Sequence, residues 1–523
     1  MRGIKQDIVK RFSNDPLDAN LKAELAKHGD EGPMFANLFI EVANYDAARK
    51  DGAQFSTTIT AEMDGKTHGP ATNAAILGVS SMAKRTGLIV TQDFSNTDWL
   101  DSRKAMGENM QATVGTYAGT LYPANQISYF TNILNLAIKD RANFLKKSPM
   151  TMGYGQEIPS LKQHVETTVY SGPEAAAIKK EAVAGEINLE DTVNFLHTML
   201  VDSIFEIMDP KVVAMGRLLK ANAVMSMASN EVLYFDNAMG FRSYAAGKQM
   251  VPELTTSSSF EFKDQEGGRK KVAVQFYKEQ AEGSAERAEL GPGGWTLGRI
   301  IPVSVQSYDG NMIARTGSGQ SWERISQAAK GKPFVLPIFD AFVTDLGSFA
   351  AVRREANKNW FEGIRDHSYV EEVAGTWFDD TMKKIAAPLP DPNEKVNLDE
   401  DGPYRGLAYL LSRTKQGDLV LSKFLAKTLQ HKAKTPGTSI DQYTAQLQVA
   451  GEQAAIQFEN DLADMGIDVD NTVFTKRQIQ RILMTLKNTM NLSQRNKQAV
   501  AVTAKDKREV LSQVDKSLTQ MDL

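Results

Sequence analysis

The chain has 523 residues, 42% hydrophobic and 24% charged, with a formal net charge of −4, a balance that suits a globular protein with room for several domains and a sizeable core. No apolar run approaches the ~20 residues of a membrane-spanning helix, and the opening MRGIKQDIVKRF lacks the apolar stretch of a signal peptide. With no cysteine, and with its six histidines (His28, His68, His164, His197, His367, His431) scattered, disulfides, thiolate zinc sites and cysteine nucleophiles are excluded, and any metal is a hard ion held by oxygen.

In chain order, residues 33–49 (PMFANLFIEVANYDAAR) open with a proline suited to a helix's first turn and continue with helical apolar spacing. The Thr-rich, β-branched FSTTITAEMD reads as a strand ending at Asp64, and helical sequence dominates from about 70 to 230. EVLYFDNAMGFRS (231–243) reads as two short strands around a turn containing Asn237 and Gly240. FEFKDQEGGRKKVAVQFY (260–277) has two β-rich arms around a polar Gly-Gly turn, a hairpin signal, and the Gly-rich GPGGWTLG follows it. FVLPIFDAFVTDL (334–346) reads as another hairpin with Asp340 at its bend, Pro337 weakening its first arm. The Pro- and acid-rich 387–403 reads as a linker, and 404–523 as charged helices with a basic run at Lys476, Arg477, Arg481 and Lys487.

Two aspartates stand out. Asp64 ends an apolar strand and precedes Gly65; Asp340 sits between phenylalanines in IFDAF. A carboxylate in apolar sequence is costly unless a positive partner neutralises it, and two of them converging on metal ions would create two-metal chemistry. Taken singly, each is equally well read as a turn or cap residue. In RANFLKKSPMTMGYG (141–155), Lys146, Met150 and Tyr154 stand at i, i+4 and i+8, one stripe of a regular helix. A lysine there can hold a triphosphate and an aromatic two turns on can pack against a sugar or base, although an ordinary core helix with snorkelling lysines has the same pattern.

In this order the three pieces resemble motifs A, B and C of the single-subunit RNA polymerases of phages and mitochondria. DGKTHGPATNAAILG resembles motif A. Met150, Thr151, Tyr154 and Gly155 match motif B's Met-Thr-x-x-Tyr-Gly, and Phe339-Asp340-Ala341 stands where motif C has His-Asp-Ser. NAMGFRS (237–243) resembles a strand pair with Asp-Gly-Phe, and VSVQSYDG (303–310) resembles a segment that reaches the active site, with Gln306 where histidine is usual. The resemblance spans roughly residues 30–380. Three departures mark it: four residues instead of three separate Arg141 from Lys146, Pro149 interrupts the motif B helix, and Phe339 replaces a histidine.

The resemblance implies an α+β, mostly helical right-hand fold with palm, fingers and a small antiparallel catalytic sheet, performing DNA-templated RNA synthesis. Asp64, Asp340 and the Gly65 carbonyl would bind two magnesium ions. Lys146, assisted by Lys147, would neutralise the triphosphate, and Tyr154 would select ribonucleotides near the ribose. Arg141, Met150, Gly155 and Gln306 are the further substrate-binding expectations, and Arg269, Lys270 and Lys271, near the turn of the 260–277 hairpin, are the candidate DNA readers. The implied segments are a first palm part with motif A (1–90), fingers with motif B (91–230), the specificity-hairpin region (231–300), a second palm part with motif C (301–386), the linker (387–403) and a helical C-terminal extension (404–523). The implied partners are a DNA template, ribonucleoside triphosphates and the RNA product.

Only a short stretch precedes Asp64, leaving no room for the N-terminal domain and thumb of complete family members. A second polymerase subunit is therefore expected to supply them, as in split heterodimeric phage polymerases, or else the chain is a processed piece of a larger virion protein. The extension 404–523 is a candidate dock for that subunit or a DNA contact. The expected location is the host cytoplasm, with packaging in the virion suggested by the motif divergence and the lack of cysteine, which suits passage through an oxidising periplasm. No membrane contact is expected. Two other readings are a DNA polymerase of the related family, which usually has a glutamate soon after the motif A aspartate and His-Asp-Glu in motif C, and an inactive structural virion protein that kept the fold.

Overall fold

The computed structural model describes residues 32–53, 57, 59–63, 68–89, 102–153, 161–207, 209–244, 253–263, 269–278, 294–329, 332–338, 341–398, 404–415 and 440–521. Along the chain these form α1 (Gly32–Lys50), β1 (Thr60–Met63), α2 (His68–Ile76), α3 (Ser80–Arg85), α4 (Ser102–Leu121) and α5 (Ile127–Ala137). A π-helical segment, Arg141–Lys147, follows and passes directly into α6 (Ser148–Gly153). Next come α7 (Lys162–Ser171), α8 (Ala175–Ala184), α9 (Leu189–Ile207), α10 (Pro210–Ser229), β2 (Tyr234–Asp236), β3 (Arg242–Tyr244), β4 (Glu253–Lys263) and β5 (Arg269–Lys278). The remainder is α11 (Gly294–Thr316), α12 (Gly319–Ala328), β6 (Val335–Ile338), β7 (Ala341–Asp345), α13 (Phe349–Asp366), a short helix Tyr369–Glu371 running into a second π-helical segment, Glu372–Trp377, then α14 (Phe378–Ala386), β8 (Lys395–Asn397), α15 (Arg405–Lys415), α16 (Ile440–Asp464), β9 (Val473–Thr475), α17 (Lys476–Thr489) and α18 (Leu492–Met521). The fold is mostly helical with small antiparallel sheets. No described helix is long and apolar enough to cross a membrane.

Two compact units divide the chain. One comprises residues 1–65 and 309–360, the other 66–308 and 361–523, so the division falls inside α11 and α13. The sequence reading set its breaks at 90, 230, 300, 386 and 403.

The smaller unit holds a three-stranded sheet in the order β1-β7-β6, antiparallel throughout. Pro337 lies in β6, which is an edge strand, where a residue without an N–H leaves no ladder bond unmade. Asp345, at the end of β7, accepts hydrogen bonds from the Phe334 amide at 2.9 Å and from the Ser348 amide and hydroxyl, both at 2.8 Å, tying the hairpin to the start of α13. Burial pushes the Asp345 carboxyl up, but these donated bonds outweigh it and hold it below the usual carboxylate range. Asn359 donates to Thr316 and Ser321, both at 3.1 Å, so the end of α11, the start of α12 and the second half of α13 share one buried polar network.

The larger unit is a helical assembly in which α4 packs on α5 and α9, α9 on α7, α10 on α15 and α18, and α17 on α16 and α18. One aromatic cluster anchors its first part: Phe130 lies 4.0 Å from Tyr122 and 4.5 Å from Phe195, centroid to centroid. The segment read as a linker is tied down along 392–398. Pro392 and Glu394 carbonyls accept the Arg477 and Lys476 amides at 3.1 and 2.9 Å, and β8 pairs with β9 just before α17. The helices beyond it are part of this unit's packing rather than an appendage to it.

Candidate functional site

β1 is the strand expected to lead into Asp64, and β6–β7 the hairpin expected to carry Asp340 at its bend. Both are present, and they are neighbours. Met63, the last residue of β1, stands opposite Phe342, and Ile338 stands opposite Ala341 across the two-residue connection 339–340. Asp64 is next in sequence after Met63, and Asp340 comes just before Ala341. Asp64, Gly65, Phe339 and Asp340 themselves lie outside the described residues. Adjacent strands run about 4.8 Å apart, so the positions that follow Met63 and precede Ala341 in sequence leave neighbouring strand ends.

The segment that resembles motif B lies in the larger unit, and the break expected at Pro149 is present, although the π-helical form of the preceding turn was not expected. Arg141–Lys147 is π-helical, and α-geometry starts at Ser148. Pro149 stands in the first turn of α6, where a residue without an N–H is well tolerated. The stripe expected of a single regular helix therefore does not run through, because Lys146 and Met150 sit on either side of a change of pitch. Phe144 and Leu145 are buried, Lys146 and Lys147 exposed, Ser148 and Pro149 buried again and Met150 half-buried. The side chain of Arg141 and the whole of Tyr154 and Gly155 lie outside the described residues.

Gln306 is exposed on α11, so VSVQSYDG is helical throughout. The expected hairpin at 260–277 is present as β4–β5, with Lys263 paired to Arg269 and Phe262 to Lys270 next to the connection, and Lys271 one step further along. The side chains of Arg269, Lys270 and Lys271 are outside the described residues. The turn between β2 and β3 is built as its residues suggest: the Asn237 carboxamide oxygen accepts the Met239 and Phe241 amides at 3.0 and 3.1 Å, and Gly240 takes φ +76°. Arg242 forks onto Asp236 at 2.8 and 3.0 Å and covers the Tyr234 ring at 4.0 Å.

Comparison with family models and with curated proteins found no match to this chain.

Four residues around motif B escaped the sequence reading. The Thr168 hydroxyl donates to Asp140 Oδ2 at 3.0 Å, and the Ser148 hydroxyl and His164 Nδ1 are 3.2 Å apart. All four are buried. The imidazole of His164 is held below its ordinary range by burial and then by the neighbouring Lys147 ammonium. The spacing of His164 and Thr168, i and i+4 on α7, was available in the sequence, but nothing there indicates which segment they face.

Proposed function

We propose that the chain is the catalytic palm-and-fingers portion of a single-subunit-type DNA-directed RNA polymerase. The observation that carries this reading is the sheet of the smaller unit, in which the end of the motif A strand lies beside the bend of the motif C hairpin although nearly three hundred residues separate them in sequence. In this reading Asp64, Asp340 and the Gly65 carbonyl hold two magnesium ions, which when bound acidify the attacking hydroxyl and stabilise the departing pyrophosphate. Lys146 and Lys147 neutralise the triphosphate, and their exposure leaves both ammonium groups free to reach a ligand from solvent. Tyr154 and Gly155 close motif B against the ribose, and the β4–β5 hairpin reads DNA with Arg269, Lys270 and Lys271. Gln306, exposed on α11, is a hydrogen-bond donor toward sugar or base edges.

The test is magnesium-dependent extension of a primed DNA template with ribo- or deoxyribonucleoside triphosphates. Ribonucleotide incorporation is expected, abolished by Asp340→Ala and reduced by about a hundredfold in Lys146→Ala, the scale of losing one electrostatic stabiliser. Preferential use of deoxyribonucleotides would replace this reading with a DNA polymerase, and wild-type extension by Asp340→Ala would end it.

A further inference from the structure

A π-helical turn places one extra residue in a helix, and such turns are rare and frequently found at functional sites; of the two among the described residues, Arg141–Lys147 carries the lysine pair. It persists only when its surroundings over-determine it. At Arg141–Lys147 both α7 and α4 pack against the segment, and the side-chain bonds at its two ends come from α7. Asp140, immediately before the segment, receives the Thr168 hydroxyl at 3.0 Å, and Ser148, immediately after it, meets His164 Nδ1 at 3.2 Å. His164 and Thr168 are one turn apart on α7, and so lie on one face. Asp140 and His164 are 2% and 8% exposed, and Ser148 and Thr168 are fully buried, so neither bond competes with bulk water. Gly172, just past the end of α7, lets the Asp140 carboxylate close in, since a Cβ there would sit 3.0 Å from Asp140 Oδ2 and 2.7 Å from the Thr168 carbonyl oxygen.

Inside the segment Phe144 and Leu145 enter the core while Lys146 and Lys147 stay outside. An α-helix turns about 100° per residue, so relaxing the extra residue would swing the two lysines by roughly that angle relative to α6 and Met150. We propose that His164 and Thr168 are positioning residues: they clamp the two ends of the π-helical segment and so set the Lys146–Lys147 pair in the register that receives a nucleoside triphosphate. This rests on the polymerase reading for the ligand, but the clamp itself does not. Neither residue touches the triphosphate in this scheme, because both are buried beneath the segment that carries the lysines.

The experiment uses the full chain with His164→Leu and Thr168→Val, which remove the bonding groups, and His164→Asn and Thr168→Ser, which keep them. Amide hydrogen exchange across 141–153 is followed, with α9 as a reference for global folding. The first pair should exchange about tenfold faster at this segment alone, the scale of one lost buried hydrogen bond. They should also raise KM for ribonucleoside triphosphate by about as much, with a smaller fall in kcat. The conservative pair should restore both. Unchanged local exchange overturns the clamp, and faster exchange with unchanged KM overturns the positioning role. A wild-type chain that neither binds nor incorporates nucleotides removes the polymerase reading and the lysines' part in it, while exchange still reports whether the clamp exists.

Discussion

Glu355 is 5% exposed, and Arg324 forks onto both its oxygens at 2.7 and 2.6 Å. Burial pushes this carboxyl up, but the bonds from Arg324 and Ser321 outweigh burial and leave it below the usual glutamate range. A carboxyl lowered on folding adds stability that is present above its unfolded value and is lost as pH falls through the folded one. Arg324→Met should therefore cost about 2–3 kcal/mol at pH 7, the scale of stranding a charged acceptor. That cost should shrink on acidification, because Glu355 can then be buried neutral. Urea denaturation at pH 8 and pH 4 checks this, and equal losses at both would contradict it. Nothing in the sequence pairs these two residues, which lie on different helices 31 positions apart. By contrast Asn237, Gly240 and Pro337 were legible, because turn geometry and the missing proline N–H act within a few residues. Asp64 and Asp340 stood out through their apolar settings alone, and the pairing of Met63 with Phe342, which gives those settings meaning, is a long-range fact.

Elements with local signals were read correctly: α1, β1 and the hairpins β2–β3, β4–β5 and β6–β7 lie where periodicity and turn residues put them. The break at Pro149 was legible because a proline acts on its immediate neighbours, but the π-helical form of Arg141–Lys147 was not, since its residues give no local sign of it. The contact of α10 with α18 was equally invisible, since it depends on a reciprocal amide pair. Asn222 and Asn496, 0% and 1% exposed, each donate to the other's carbonyl oxygen at 2.9 Å. Asn222→Leu or Asn496→Leu alone strands a buried amide and should cost about 1–3 kcal/mol. The double leucine variant should recover most of that loss, because two apolar groups replace two paired polar ones. Thermal unfolding of the four-variant cycle decides the matter. Additive losses would mean that the amides are not coupled.

Which segments assemble into one body is the least local property of the chain. Residues 404–523 were expected to form an extension beyond the catalytic part, yet α18 is built into the larger unit. It buries Leu492, Val510, Leu511 and Val514, pairs Asn496 with α10, and sends Lys507 to the His367 carbonyl at 2.9 Å. Gly78, at φ +65° just after α2, lies so close to the Asp506–Lys507 peptide that no side chain fits between them. Asn73, on α2, accepts the Tyr369 hydroxyl at 3.0 Å, so the helix that follows Asp64 in sequence is braced from the chain's second half. The four aliphatic side chains contribute on the order of 6–12 kcal/mol by burial alone, as much as a typical domain's whole stability. A chain ending at residue 491 should therefore lose the cooperative unfolding transition of the larger unit, not merely a helix's worth of ellipticity. Circular dichroism melting of that truncation against the full chain tests this. An unchanged midpoint would return α18 to the role of an appendage.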